Sequence, residues 1–202
     1  MRLIRIIIVL LLPLIAEVVI SCCDCPKPFI KHYTNKLIEI QNIDNSGSEA
    51  IITTANSVPK EAFGIRIRLH SEKTACVYPS RSFFIQTASA TKCDCPPEYQ
   101  ILASDSVTAI QVFTLNDFDT NHPANSDISD YFKVFQRSSF ITIADYIKSY
   151  RTVLYDDNEL DLKIDLLLMT PPATSKSYKF EIKITLSDGR ILEGESTAIK
   201  FI

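Results

Sequence analysis

The sequence predicts a mainly β protein, an antiparallel immunoglobulin-like β-sandwich carrying one short helix. Three observations predict it. Apolar and polar residues alternate with period two along several stretches, the pattern of a strand with one buried and one wet face. An Asp-Gly pair, Asp188-Gly189, separates two such stretches and favours a tight type I′ hairpin. One segment alone, Ile143–Tyr150, reads as a helix, with Thr142 as its cap and Asp145 completing an imperfect capping box.

The elements follow in chain order. Residues 1–21 have the parts of an export signal: Arg2 and Arg5, then an unbroken apolar run from Ile6 to Leu12, continued by Leu14 to Ile20 up to the small Ser21. Pro13 and Glu17 within it argue against a retained membrane span. Residues 22–35 are polar and contain Pro26 and Pro28, a semi-extended tether. Residues 36–202 form a single sandwich domain. Its clearest strands are Ile65, Ile67 and Leu69 alternating with Arg66, Arg68 and His70, the alternation from Leu160 to Leu168, and that from Tyr178 to Leu186. Weaker strands are expected at 36–43, 50–54, 82–88 and 106–115. A returning strand spans about 190–201, after the hairpin.

Composition narrows the function. The chain has 202 residues and a formal charge of −3, with its cations scattered and no basic stripe interleaved with aromatics. Nucleic-acid binding therefore has little support. Four glycines leave little material for a phosphate-binding loop, and tryptophan is absent.

The end of the export signal is more specific. Val19-Ile20-Ser21-Cys22 resembles the lipobox of bacterial lipoproteins, departing from it in having Val where Leu is usual. That resemblance implies cleavage before Cys22, acylation of its thiol and new amine, and permanent attachment to a membrane. Export also implies an oxidising compartment for Cys23, Cys25, Cys76, Cys93 and Cys95. The tetrapeptide Cys-Asp-Cys-Pro occurs at 23–26 and again at 93–96. A bridge between the two copies would staple the tether to the body; a bridge from Cys76 to Cys93 or Cys95 is the alternative. Five is odd, so at least one thiol is left over within a single chain. Two C-x-C pairs could also hold zinc, but their spacing is tighter than usual for such sites.

Cys22-Cys23-Asp24-Cys25, Ala62-Phe63-Gly64-Ile65-Arg66, Thr114-Leu115-Asn116-Asp117-Phe118-Asp119 and Leu186-Ser187-Asp188-Gly189-Arg190 carry a wider likeness. Through these residues the chain resembles uncharacterised lipoproteins of Bacteroidetes, over most of its length. The resemblance implies a lipid-anchored sandwich in the cell envelope, in the outer membrane, and brings no reaction with it.

Asp117, Asp119 and Asn121 echo the opening of a calcium loop, but His122-Pro123 stands where glycine is needed and Ile128 at the twelfth position. The segment reads instead as a loop rich in turn formers. No nucleophile elbow, zinc-protease helix or paired carboxylate signature marks a catalytic centre. No cofactor and no metal are expected. The expectation is a non-enzymatic binding module whose partner is an envelope protein or a glycan, with loops 116–130 and 170–177 as first candidates for contact. A structural role in an envelope assembly is the alternative, and a hydrolase assembled from distant residues a further one.

Overall fold

The computed structural model describes residues 29–74, 99–136, 138–150, 153–154, 160–174 and 176–202. The signal segment, all six cysteines and the strand expected at 82–88 lie outside the described residues, and with them the lipid and disulfide assignments.

Fourteen strands and one α-helix form among the described residues. They are β1 (Phe29–Asp44), β2 (Ile51–Ile52), β3 (Ser57–Val58), β4 (Phe63–Lys73), β5 (Tyr99–Ala103), β6 (Val107–Thr114), β7 (Phe132–Gln136) and β8 (Ser139–Ile141). After helix α1 (Ile143–Ser149) come β9 (Val153–Leu154), β10 (Leu162–Leu168), β11 (Ser177–Tyr178), β12 (Phe180–Leu186), β13 (Ile191–Glu195) and β14 (Ile199–Phe201).

The fold is the mainly antiparallel β-sandwich that the alternation predicts. Its large sheet has eight strands in the order β8-β7-β10-β4-β1-β5-β9, with β2 beside β1. Two three-stranded sheets, β13-β12-β6 and β11-β14-β3, complete it. The pair β1–β5 is parallel.

Alternation dictates which face each strand buries. Ile65, Ile67 and Leu69 on β4 and Ile164, Leu166 and Leu168 on β10 are buried. Arg66, between them on the outer face, is held by Asp165 at 2.7 Å. The opposing sheet supplies Phe180, Ile182, Ile184 and Leu186, also buried. An aromatic group joins the layers, with Phe63–Phe180 at 5.4 Å and Tyr178–Phe201 at 5.0 Å between ring centroids. Full burial of each such side chain is worth about 1.5–3 kcal/mol. The sheets approach closely at Gly194, where an added Cβ would sit 2.8 Å from Ile40 Cγ1.

Strands β3, β5, β7, β8 and β9 form where none was expected, and the structure differs from the expectations at three further points. Strand β1 starts at Phe29, so residues 29–35, read as tether, pair with β4 and β5. The closing hairpin is not type I′. Four residues, Ser187 to Arg190, link the strands, and among them Gly189 alone has positive φ (87°). Asp188 instead accepts the Arg190 backbone N–H at 3.0 Å. The returning strand is split into β13 and β14, which join different sheets. Ser196 causes the break: its N–H donates to Phe180 O and its hydroxyl accepts from Phe180 N–H.

Candidate functional site

The 115–131 segment is tied down from within. Phe118 is buried and packs its ring 5.6 Å from those of Tyr131 and Tyr178. Leu115 N–H donates to Lys179 O, and Asn116 Oδ1 accepts from Lys179 N–H. Asp119 is the hub. Its Oδ1 accepts the backbone N–H groups of Asn121 and His122, at 2.8 and 2.9 Å. His122 Nδ1 lies 2.9 Å from the same oxygen, and the Tyr131 hydroxyl donates to Oδ2.

These residues include the calcium-loop candidates. Asp117 Oδ1 accepts Ala124 N–H at 3.0 Å, while Asp119 is occupied as described. Both carboxylates thus shape their own loop. Among the described residues no group of three or more His, Cys, Asp and Glu side chains is placed to hold a metal ion.

The electrostatics follow from this geometry. Desolvation pushes the Asp119 carboxyl up, but the hydrogen bonds from His122, Asn121 and Tyr131 outweigh it and hold the group below the ordinary Asp value. Tyr131 is pushed up, first by desolvation and then by facing Asp119. A carboxyl with a lowered folded-state pKa adds stability above its unfolded value, and that stability is lost as pH falls through the folded value. Thermal midpoints of wild type and Asp119→Asn are therefore expected to converge on acidification. A gap that stays constant from neutral to acidic pH would contradict this role.

Beside this loop lies a groove of about 330 Å³ between β6 and α1. Its apolar lining comes from Ala109 and Ile110 on β6, Phe132 on β7, and Ile143, Ala144 and Ile147 on α1. The polar rim carries Gln111, Asp127, Ser129, Asp130, Lys133 and Lys148. Thr142 positions the helix wall, its hydroxyl oxygen accepting Asp145 N–H at 3.0 Å and its O–H donating to Asp145 Oδ2 at 2.7 Å. Asp127 fixes the opposite rim by accepting from Gln111 Nε2 at 3.0 Å and from Ser129 N–H at 2.9 Å. Burial raises the Asp127 pKa, but these bonds and that from the Ser129 hydroxyl bring it below the usual value.

Chemically, the groove can hold an apolar body between polar walls of both charges. The His122 ring bonds Asp119 and Tyr131, and neither His122 nor Tyr131 lines the groove. His70, on the outer face of β4, lies near Glu39 and Asp161. The other contact candidate, 170–177, is anchored by Tyr178, whose hydroxyl is 2.8 Å from Thr174 Oγ1.

Sequence reading placed one wall of the groove, through the Thr142–Asp145 cap, and missed the rest. Ile110, Phe132 and Ile147 look like ordinary core positions, and only the fold brings them to one opening. It also missed a buried polar node. Asp105, 1% exposed, accepts from Asn35 N–H at 2.9 Å, from Asn35 Nδ2 at 3.0 Å and from Arg190 Nη2.

Comparison with solved structures finds distant likenesses to domains of streptococcal proteins. The C-terminal domain of the Streptococcus pyogenes antigen I/II-family protein AspA matches at 10% identity, covering 82% of this chain and 46% of that one, with a TM-score of 0.26. The C-terminal domain of the Streptococcus agalactiae AgI/II polypeptide BspA matches at 10% identity, over 81% and 49%, with a TM-score of 0.24. The chain thus spans about half the length of these structures, and overlays this loose transfer nothing to it. No curated protein matches the chain. A family profile does match, over residues 35–197, and by that match the chain belongs to the domain-of-unknown-function family DUF5034.

Proposed function

We propose that this chain is a lipid-anchored protein of the cell envelope, held in the outer membrane through Cys22, whose sandwich is a non-enzymatic binding module. The groove between β6 and α1 carries the reading. Its volume of about 330 Å³ falls in the range of ligand sites, and an apolar floor with a few convergent polar groups is their usual lining. Of the two carboxylates that line it, Asp127 is engaged in holding structure, by Gln111 and Ser129. That is the behaviour of a scaffold for capture, with an envelope protein segment or a glycan as the ligand class.

Two measurements test the two halves of the proposal. Labelled palmitate is expected to enter the wild-type chain and not Cys22→Ala, and the label persisting in the variant would overturn the anchor. For the groove, Ala144→Arg is suitable because Ala144 is exposed on α1 and lines the opening. The full chain, purified from envelopes in mild detergent, is expected to carry a stoichiometric bound species that Ala144→Arg loses at unchanged thermal midpoint. A bound species that the variant retains, or none in the wild type, would overturn the groove as the binding site.

A further inference from the structure

Strands β1 and β5 run parallel in one unbroken register. Phe29 pairs with Tyr99, and the pairing continues one for one to Tyr33 and Ala103. The same offset of 70 residues holds past the last pair, where the Asn35 N–H and Nδ2 donate to the Asp105 carboxylate. Near the first pair, Lys31 Nζ lies 3.5 Å from the centre of the Tyr99 ring, which clasps the two strands where they begin.

The sequence repeats at that same offset. Cys23-Asp24-Cys25-Pro26 recurs as Cys93-Asp94-Cys95-Pro96, and three residues separate each second cysteine from the first pair of the ladder. A register set by backbone pairing and a spacing set by the sequence thus coincide. Carried back from Phe29 and Tyr99, the register matches Cys25 with Cys95 and Cys23 with Cys93. Directly opposite residues of neighbouring strands lie about 4.8 Å apart, inside the span of about 4.4–6.8 Å that a disulfide allows between Cα atoms. The diagonal pairs, Cys23 with Cys95 and Cys25 with Cys93, are two residues out of register. That shift separates them by roughly 8 Å, beyond the span.

Packing adds a second observation. This end of the large sheet lies off the main core. Its own cluster among the described residues buries Tyr33 and Ile101, with Tyr99, Ala103 and Leu160 partly buried around them. So small an apolar cluster leaves a strand pair prone to local opening. Exported domains commonly make good such a deficit with disulfides.

We propose that the two motifs form two matched disulfide rungs, Cys23–Cys93 and Cys25–Cys95, which carry the β1–β5 connection back toward Cys22. Each rung joins two thiols into one S–S bond. The two protons and two electrons released pass to the disulfide of an exchange oxidant in the export compartment, which leaves as a dithiol. Cys76 is then the thiol left over from the five. A pull on an anchored N-terminus is shared through the rungs between β1 and β5, so the parallel pair does not peel from its open end. The rungs rest on the export reading given under the proposed function, and on neither the acylation of Cys22 nor the β6–α1 groove.

The test is thiol alkylation of the expressed full chain before and after reduction, with each cysteine assigned by peptide mass. In wild type, Cys23, Cys25, Cys93 and Cys95 are expected to label only after reduction, and Cys76 before it. The matched variant Cys23→Ser/Cys93→Ser is expected to keep Cys25 and Cys95 shielded until reduction. The diagonal variant Cys23→Ser/Cys95→Ser is expected to label Cys25 and Cys93 without reduction. Wild-type motifs that label without reductant would overturn the rungs, and so would a diagonal variant as fully bridged as the matched one. Shielding that a chelator lifts with no reductant present would also overturn them, in favour of a thiolate-bound metal. Labelling is read on chain cleaved before Cys22, so free motif thiols there count against the rungs while export stands. Chain that keeps its first 21 residues throughout would overturn the export reading and the rungs with it.

Discussion

An Asp105→Ala chain is expected to lose about 3 kcal/mol of stability in urea unfolding, with a midpoint lower by roughly 10 °C on heating. Asp105 sits in the turn between β5 and β6, where the chain passes from the large sheet to a small one. Its carboxylate gathers the Asn35 backbone and amide, the Thr34 hydroxyl and the Arg190 guanidinium. Arg190 also donates to Asn35 O at 3.0 Å, and the Ser71 hydroxyl donates to Asn35 Oδ1 at 2.9 Å. The turn at 104–106 and the hairpin at 187–190 are clasped further by Ser187 N–H to Ser106 O and by Ser106 N–H to Ser187 Oγ. Removing the carboxylate strands several donors in a buried place, and that desolvation is the source of the loss. Arg190→Ala introduced into Asp105→Ala should then add little, because the shared interaction is already gone. Additive losses from the two substitutions, or a loss under about 1 kcal/mol for Asp105→Ala, would remove Asp105 from this role.

Local pattern made β4, β10 and β12 legible. The alternations at 65–70, 160–168 and 178–186 each correspond to strand, and the Thr142–Asp145 cap opens the helix at Ile143. What local pattern could not carry is how turns meet. Ser104-Asp105-Ser106 reads as an exposed turn, and only its contact with Asn35, seventy residues away, and Arg190 reveals a buried charge. The segment around Asp119 was legible as a loop from its turn formers, but the bonds within it were not. Alternating acidic residues resemble a metal loop in sequence, while here their oxygens accept the loop's own N–H groups. The split of the last strand had no local sign either, since the Ser196 hydroxyl acts on Phe180 in a neighbouring strand. The groove was invisible for the same reason: β6 and α1 each read as an ordinary element with an apolar face, and β7 was not read as an element at all.

Gly64→Ala is expected to cost about 2–3 kcal/mol, a large loss for one methyl group. Gly64 lies on the outer face of β4, paired with Ile43 on β1 and Leu167 on β10. An added Cβ would stand 2.8 Å from Leu166 O, 2.9 Å from Ile43 Cγ1 and 2.9 Å from Leu167 Cδ2. The two side chains can give way, but the carbonyl belongs to the strand paired with Gly64 and cannot retreat without loosening the β4–β10 ladder. Trimming the movable neighbours separates these contributions. Leu167→Ala in the Gly64→Ala background should recover part of the loss, and the unrecovered part measures the carbonyl contact. Because Ile43 and Leu167 are buried although they face away from the sandwich core, the absent Cβ at Gly64 is what lets them close over the sheet. If Gly64→Ala unfolds at the same urea concentration as wild type, that closure does not depend on the glycine, and β4 and β10 are further apart than described.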